Sequence, residues 1–161
     1  MSATAQFIKL LNNPFRFRLF LLSKIPAAYF SGVRIKEFTE QECRVTVPYK
    51  WFSQNPFRST YFACLAMAGE MSTGTLAMAQ VYKRQPRISM LVINMEAVFT
   101  RKATGLTIFT CSDGKLFQKA INETTRTGEA VKVIAKATGR NEAGDLIAEF
   151  LITWSFKSKS A

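Results

Sequence analysis

The fold is decided by the stretch Asn55-Pro-Phe-Arg-Ser-Thr-Tyr-Phe-Ala-Cys-Leu-Ala-Met-Ala-Gly-Glu-Met-Ser-Thr-Gly74. The 24 residues between Arg58 and Lys83 contain a single charged side chain, that of Glu70. A helix that is apolar almost all round is normally buried on every side. A lone carboxylate on such a helix costs free energy unless it is paired, hydrogen-bonded or protonated. The pattern therefore predicts a buried central helix with Glu70 as its chemical centre.

The start of this helix is marked twice in the sequence. Asn55 followed by a proline is typical of a helix cap, and Ser59 could cap the helix one turn later. A start at Ser59 leaves the amides of Phe62 and Ala63 without intrahelical partners. Such amides, at the positive end of the helix dipole, could hold a developing oxyanion. The sequence leaves both starts open.

Composition limits the classes of function. The chain has 161 residues and a net charge of +11, which indicates an anionic partner such as a nucleotide, a nucleic acid or an anionic membrane. It has no histidine, so imidazole chemistry and histidine metal sites are excluded. Its three cysteines lack metal-type spacing and predict buried, reduced thiols in a cytoplasmic protein. We therefore expect no metal and no cofactor, and any catalysis must rest on carboxylates, amides, hydroxyls, thiols or lysines.

The N-terminal part of the chain reads as a basic, amphipathic helical region over residues 5–25. We expect a kink at Pro14 and an end before Pro26. Such a helix either packs on the edge of the domain or serves as a lid or a membrane-surface contact. Neither this region nor the central helix predicts a membrane span or a signal peptide.

Alternating and apolar runs predict six strands around the central helix. Asp113-Gly114 is expected to form a turn, with a short helical or irregular piece over 115–125. The order predicts an α+β fold: one domain over 1–161, with a helical extension at 1–30 and a core at 31–157. Its free sheet edges would pair into a homodimer or tetramer. The predicted strands are residues 33–38, 43–49, 89–99, 105–111, 129–138 and 145–156.

Several motifs, taken together, carry a resemblance to a known family. Tyr61-Phe62-Ala63 stands where many acyl-CoA thioesterases of the hotdog fold have His-Gly-Gly, and Glu70 stands where they carry a helix carboxylate. The run 93–103 resembles their long strand and following turn. The closing hairpin over 144–154 is similar to a branch known only as a domain of unknown function. The chain thus resembles the hotdog acyl-CoA thioesterase superfamily over residues 30–157, with a sheet wrapped around a central helix.

The resemblance implies hydrolysis of an acyl thioester of coenzyme A or acyl carrier protein. Glu70 would be base or nucleophile, and desolvation would raise its pKa towards neutrality. A structural glutamate in an ion pair or a dimer interface is the alternative for this residue, and a helix cap is the alternative for Asn55. The expected oxyanion donors are the amides of Phe62 and Ala63, and the expected substrate contacts are Asn55, Tyr61, Met67 and Thr73.

Two basic clusters bracket the long third strand, and either could bind the phosphates of coenzyme A. One contains Arg84 and Arg87, and the other contains Arg101 and Lys102. A catalytically silent acyl-CoA-binding protein is the alternative function. Nucleic-acid binding is not expected, because basic residues interleaved with aromatics occur only at residues 15–18.

Overall fold

The computed structural model describes residues 2–159, so Met1 and residues 160–161 of the predicted domain lie outside it. Within these residues the strands form one antiparallel sheet in the order β1-β2-β4-β5-β6-β3. The helices are α1 Ala3–Leu11, α2 Pro14–Lys24, α3 Pro26–Ser31, α4 Phe62–Val81 and α5 Gly114–Thr127, and the strands are β1 Arg34–Phe38, β2 Cys43–Val47, β3 Ile88–Phe99, β4 Thr107–Cys111, β5 Val131–Asn141 and β6 Leu146–Ser158.

The helix α4 is the predicted central helix, and the sheet wraps around it. It packs against β2, β4, β5 and β6, and α5 and the N-terminal helices cover its remaining sides. Close approach depends on glycine: a Cβ at Gly69 would lie 2.7 Å from Cδ2 of Phe150. This arrangement confirms the predicted hotdog fold. No helix within residues 2–159 combines the length and hydropathy needed to cross a membrane.

The central helix begins later than either predicted start. Phe62 is its first residue, because the preceding segment is folded as a loop. The Asn55 side chain accepts hydrogen bonds from the amides of Phe57 and Ser59, so it stabilises this loop and does not cap the helix. The Thr60 amide donates to the carbonyl of Ala103 at 2.8 Å and ties the loop to a distant segment.

The predicted break at Pro14 and the predicted end before Pro26 are confirmed: α1 ends at Leu11, and α2 runs from Pro14 to Lys24. Pro26 then begins the separate short helix α3, where its missing N–H costs nothing. One predicted turn is wrong. Asp113-Gly114 does not form a hairpin turn but starts α5, a full helix of 14 residues. Gly114 is required there because a Cβ would lie 2.2 Å from the carbonyl oxygen of Glu40.

Of the N-terminal helices α1 and α2, α1 packs against α4, while α2 packs against α1 and α3. Their inner side is buried through Phe7, Leu11, Phe17 and Leu21. The Phe7 ring contacts that of Tyr82, with centroids 5.0 Å apart, just beyond the end of α4. The extension therefore packs on the domain and also forms a roof beside the central helix.

The strand β3 forms one edge of the sheet and is left largely uncovered. It pairs with β6 alone among the described strands, in a register that sets Met95, Ala97 and Phe99 opposite buried residues. Residues paired across neighbouring strands share a face, so these three point to the helix side. All three are nevertheless exposed, although the Phe99 ring contacts that of Phe62 at the start of α4.

We predict that Gly139→Ala destabilises the protein by about 1–3 kcal/mol, because overpacking strains a tight core. A Cβ at Gly139 would lie 2.5 Å from Cε1 of Phe109, whose ring is fully buried. Urea unfolding measures the effect. Gly105→Ala is the matched control, since a Cβ there meets nothing within 4 Å. Equal stabilities of the two variants would contradict the packing described.

Candidate functional site

Glu70 borders an apolar cavity of about 640 Å³ between α4 and the N-terminal helices. This volume lies within the ~300–1,000 Å³ typical of small-molecule pockets. Among the described lining residues, only Glu70 and Arg16 are charged. The other lining residues are mostly large and apolar: Phe7, Leu10, Leu11, Phe17, Leu19, Phe20, Ile25, Met71, Gly74, Thr75, Met78, Tyr82, Met90 and Trp154.

A glycine and a tryptophan make the slot that holds the carboxylate. A Cβ at Gly74 would lie 3.0 Å from Oε1 of Glu70 and 3.1 Å from Cζ2 of Trp154. The indole N–H of Trp154 donates to Oγ1 of Thr73 at 3.0 Å, which fixes the ring. Gly74 thus leaves room for the carboxylate against a fixed aromatic wall.

The Glu70 carboxylate has no hydrogen-bond or ion-pair partner within residues 2–159. Arg16 lines the same cavity but forms no ion pair with the Glu70 carboxylate. Burial raises the pKa of the Glu70 carboxyl, because desolvation disfavours its charged form. Within the described residues, the Glu70 carboxyl is therefore unpaired, and it does not form the intrachain ion pair that was the alternative interpretation of this residue.

None of the four predicted substrate contacts lines this cavity, and two of them, Thr73 and Met67, do not line the second cavity described below either. Thr73 is fully buried, and its hydroxyl donates to the Glu70 carbonyl at 2.9 Å while it accepts from Trp154. Its position makes it a support of the aromatic wall. Met67 is half-buried on α4, nearly one turn before Glu70, and lines neither this cavity nor the second one.

A second cavity, of about 620 Å³, lies at the N-terminus of α4. The amides of Phe62 and Ala63 sit in the first turn there, without hydrogen-bond partners among residues 2–159. The predicted substrate contacts Asn55 and Tyr61 and the cations Arg101 and Lys102 line this cavity together with Phe62.

The polar groups of the second cavity are partly engaged. The Asn55 Oδ1 atom is used by the loop, as described above. Arg101 reaches Asp145 at 3.3 Å, and the Lys102 ammonium donates to the Phe57 carbonyl at 3.3 Å. Both cations keep further donors, since guanidinium has five N–H groups and ammonium has three.

One chain does not bring all the predicted residues together. Glu70 lies seven residues after Ala63. At ~1.5 Å of rise per residue, these residues are roughly 10 Å apart along the helix axis. The carboxylate and the oxyanion donors thus belong to different cavities of the same protomer.

The other predicted phosphate cluster is more distant still. Arg84 and Arg87 line a third cavity of about 460 Å³ with Lys83 and Lys159. It lies beside the start of β3, whereas Arg101 follows the end of that strand. Twelve extended residues span roughly 40 Å, so the two clusters form separate sites within one chain.

The thiols are unsuited to nucleophilic attack. Cys43, Cys64 and Cys111 are all buried. Desolvation raises the pKa of Cys43 and of Cys111, which keeps both as neutral thiols. None of the three thiols is therefore suited to act as a nucleophile.

Sequence reasoning missed the cavity because its roof comes from the first 25 residues. Arg16 and Tyr82 line it, and neither was singled out as a site residue. The repeated spacing of buried residues Phe7–Leu11 and Phe17–Leu21 carried a signal of two packed helices. No periodicity indicates which surface those helices cover.

A family model described as a domain of unknown function, DUF4442, matches residues 16–156. The chain belongs to the DUF4442 family. The matched range begins within α2 and runs into β6, so it includes α4 and the lining of the second cavity, whereas Phe7, Leu10 and Leu11 of the first cavity precede it. Among curated proteins, none matches the sequence.

Solved structures show which fold the DUF4442 chain shares. A protein of unknown function from Pseudomonas aeruginosa, described as a probable thioesterase, superposes with a TM-score of 0.76 at 20% identity, over 91% of this chain and 97% of that one. A protein of unknown function from Chlorobaculum tepidum gives a TM-score of 0.75 at 14% identity, over 91% and 97%. A Haemophilus influenzae thioesterase gives 0.60 at 15% identity, over 92% and 90%. The DUF4442 chain has a thioesterase-like hotdog fold.

We predict that Glu70→Gln raises the free energy of unfolding at neutral pH. The pKa of this carboxyl is raised in the folded state, so ionisation favours the unfolded chain, and wild-type stability falls as pH rises above about 4.3, the unfolded pKa. Below that pH both states are protonated, and the advantage of the variant should vanish.

Urea unfolding of both proteins across this pH range measures the difference. Glu142→Gln, at an exposed turn, is the matched control and should show no such pattern. A Glu70→Gln variant that is less stable than wild type at neutral pH would contradict the unpaired state of the carboxylate.

Proposed function

We propose that this protein hydrolyses an acyl thioester of coenzyme A or of acyl carrier protein. One observation carries the proposal: the unpaired Glu70 carboxyl faces a large cavity that is otherwise almost wholly apolar. An apolar cavity suits an acyl chain, and a carboxyl of raised pKa suits proton transfer near neutral pH. The fold, shared with thioesterases, adds support at the level of architecture.

The acyl chain would occupy the cavity between α4 and the roof helices. Met71 and Met78 line it from α4, and Met90 lines it from β3. Flexible, unbranched methionines adapt to chains of different shape. The thioester group would then lie beside Glu70, where the cavity meets the uncovered side of β3.

Two chemical routes are open to Glu70. As a general base, it takes a proton from water; the resulting hydroxide adds to the thioester carbonyl, and the tetrahedral intermediate expels the thiolate, which takes the proton from Glu70. As a nucleophile, the carboxylate displaces the thiolate itself and forms a mixed anhydride, which water then hydrolyses. Both routes yield a fatty acid and a free thiol, and both need a stabilised oxyanion.

A dimer would complete the site. The uncovered edge strand β3 presents unpaired backbone groups and exposed Met95, Ala97 and Phe99, which a second copy would cover. A strand that pairs with its own symmetry mate runs antiparallel to it, so the two α4 helices would also run in opposite directions. If the two α4 helices crossed near Ala66, which lies midway between Ala63 and Glu70, the partner's Ala63 amide would lie close to Glu70. The assembly would be a homodimer, or a tetramer of two such dimers.

The coenzyme A phosphates would bind Arg101 and Lys102. These cations line a cavity together with Phe62, the first residue of α4, whose amide has no hydrogen-bond partner among residues 2–159. Arg84 and Arg87 lie at the other end of β3, next to no carboxylate or free amide of the described site. Bidentate guanidinium contacts suit phosphate oxygens.

A catalytically silent acyl-CoA-binding protein is the second candidate. One observation favours it: Ala63 carries a methyl group in the first turn of α4, where a bare glycine would allow a thioester carbonyl closer to the backbone. The same cavities would then bind the ligand without turning it over.

We predict that Glu70→Gln lowers thiol release from acyl thioesters by about 10²–10⁴-fold, the usual contribution of a general base. Affinity for a non-hydrolysable acyl-CoA analogue should persist, because the amide fits the same slot. Thiol release is measured over short-, medium- and long-chain acyl-CoAs and an acyl carrier protein, beside Glu142→Gln as control. Unchanged turnover in Glu70→Gln would exclude Glu70 as the reacting group. Binding without any wild-type turnover would support the silent alternative.

We further predict that Arg101→Ala with Lys102→Ala raises KM for acyl-CoA by about tenfold or more, because charge-assisted hydrogen bonds to phosphate are lost. The paired variant Arg84→Ala with Arg87→Ala should leave KM unchanged. An acyl-pantetheine substrate without the nucleotide phosphates should remove the difference between them. If only the Arg84/Arg87 variant showed a raised KM, the phosphate site would lie at the other end of β3, and this assignment would be wrong.

A further inference from the structure

The helix α2 is apolar on two opposite sides. One side, with Phe17 and Leu21, is buried against the protein. The other carries Phe15, Leu19 and Leu22, which are 72%, 51% and 43% exposed. Their spacing of four and three residues sets them in one stripe along the outer surface of the helix. Such a stripe has no role in packing within the described chain.

The charges of the chain segment that carries this stripe are all of one sign. Arg16 and Arg18 lie on its two flanks, given the 100° turn per residue of an α-helix. Arg18 also donates to the Tyr29 hydroxyl at 3.2 Å and keeps further N–H donors. The first 36 residues of the chain contain six of the 22 lysines and arginines, whereas every aspartate and glutamate lies beyond them. An exposed apolar stripe between cations is the pattern of a helix that lies in a membrane interface.

We propose that α2 docks this protein onto an anionic lipid surface. Phe15, Leu19 and Leu22 would enter the boundary between headgroups and acyl chains, while Arg16 and Arg18 reach lipid phosphates. Arginine stems cover apolar surface while their charged ends stay at the polar layer. The helix lies on the membrane without crossing it.

The position of α2 gives this docking a consequence. Leu19, Ile25 and Arg16 belong both to the exposed surface and to the lining of the Glu70 cavity. A surface bound through α2 therefore lies next to the roof of that cavity, where an apolar ligand could pass without crossing water. The docking depends on this surface alone and does not require that the protein hydrolyses thioesters.

A second copy of the chain is a poorer occupant of this face. Two copies meeting through α2 would bring two acid-free, cationic segments together. Like charges at a shared interface repel, whereas anionic headgroups complement them. The uncovered face of β3 offers a separate surface for self-association.

Sedimentation of the full chain with vesicles tests the docking. We expect binding to vesicles that contain phosphatidylglycerol, weak binding to pure phosphatidylcholine, and a loss of binding as salt rises from about 0.1 M to about 0.5 M. Phe15→Ser with Leu22→Ser should lower the partition coefficient by about tenfold or more, since two inserted apolar side chains are removed. Both residues lie outside the cavity lining, so the site itself stays intact.

Leu116→Ser with Ile134→Ser is the matched control, because those residues are 42% and 61% exposed on other elements. It should bind as the wild type does, and thermal melts verify that all variants fold. Absence of wild-type binding to phosphatidylglycerol, or equal binding by the Phe15/Leu22 variant, overturns the proposal. Light scattering that shows the same variant dissociating an oligomer also overturns it, since the stripe would then be a contact between copies.

Discussion

The structure depends on one constraint, the burial of a long helix that carries a single carboxyl group. Because α4 is apolar on nearly every side, the sheet, α5 and the N-terminal helices must all pack around it. Glu70 is then held in surroundings that disfavour its charge, with no partner that offsets the cost. The hydrophobic burial that stabilises the fold thus also raises the pKa of this carboxyl.

The described residues around Glu70 accommodate its buried carboxyl group but do not form a hydrogen bond or an ion pair with it. Gly74 leaves room for the carboxylate, and the Thr73 hydroxyl fixes the Trp154 ring beside it. Large apolar side chains of α1 and α2 line the adjoining cavity. The protein therefore sacrifices some stability at Glu70, as is common where strain serves a site.

Local sequence patterns correctly predicted the main strands and the central helix. Alternation in residues 145–156 predicted β6, and the charge-free run around Glu70 predicted the central helix. These local patterns failed where distant contacts decide. The helix begins at Phe62 because Thr60 bonds to Ala103, 43 residues away, and no local signal records that bond. The cavity likewise arises from helices some fifty residues before α4, and any contribution of a partner copy leaves no spacing in one chain.

The central claim is that Glu70 is an unpaired, desolvated carboxyl group, and its titration tests this most directly. In protein labelled with ¹³C at the glutamate carboxyl carbon, the resonance missing from Glu70→Gln identifies the residue. The account predicts a pKa for that resonance clearly above about 4.3, the ordinary glutamate value, as desolvation requires. A pKa at or below the ordinary value would show a solvated or paired carboxylate and would contradict the account.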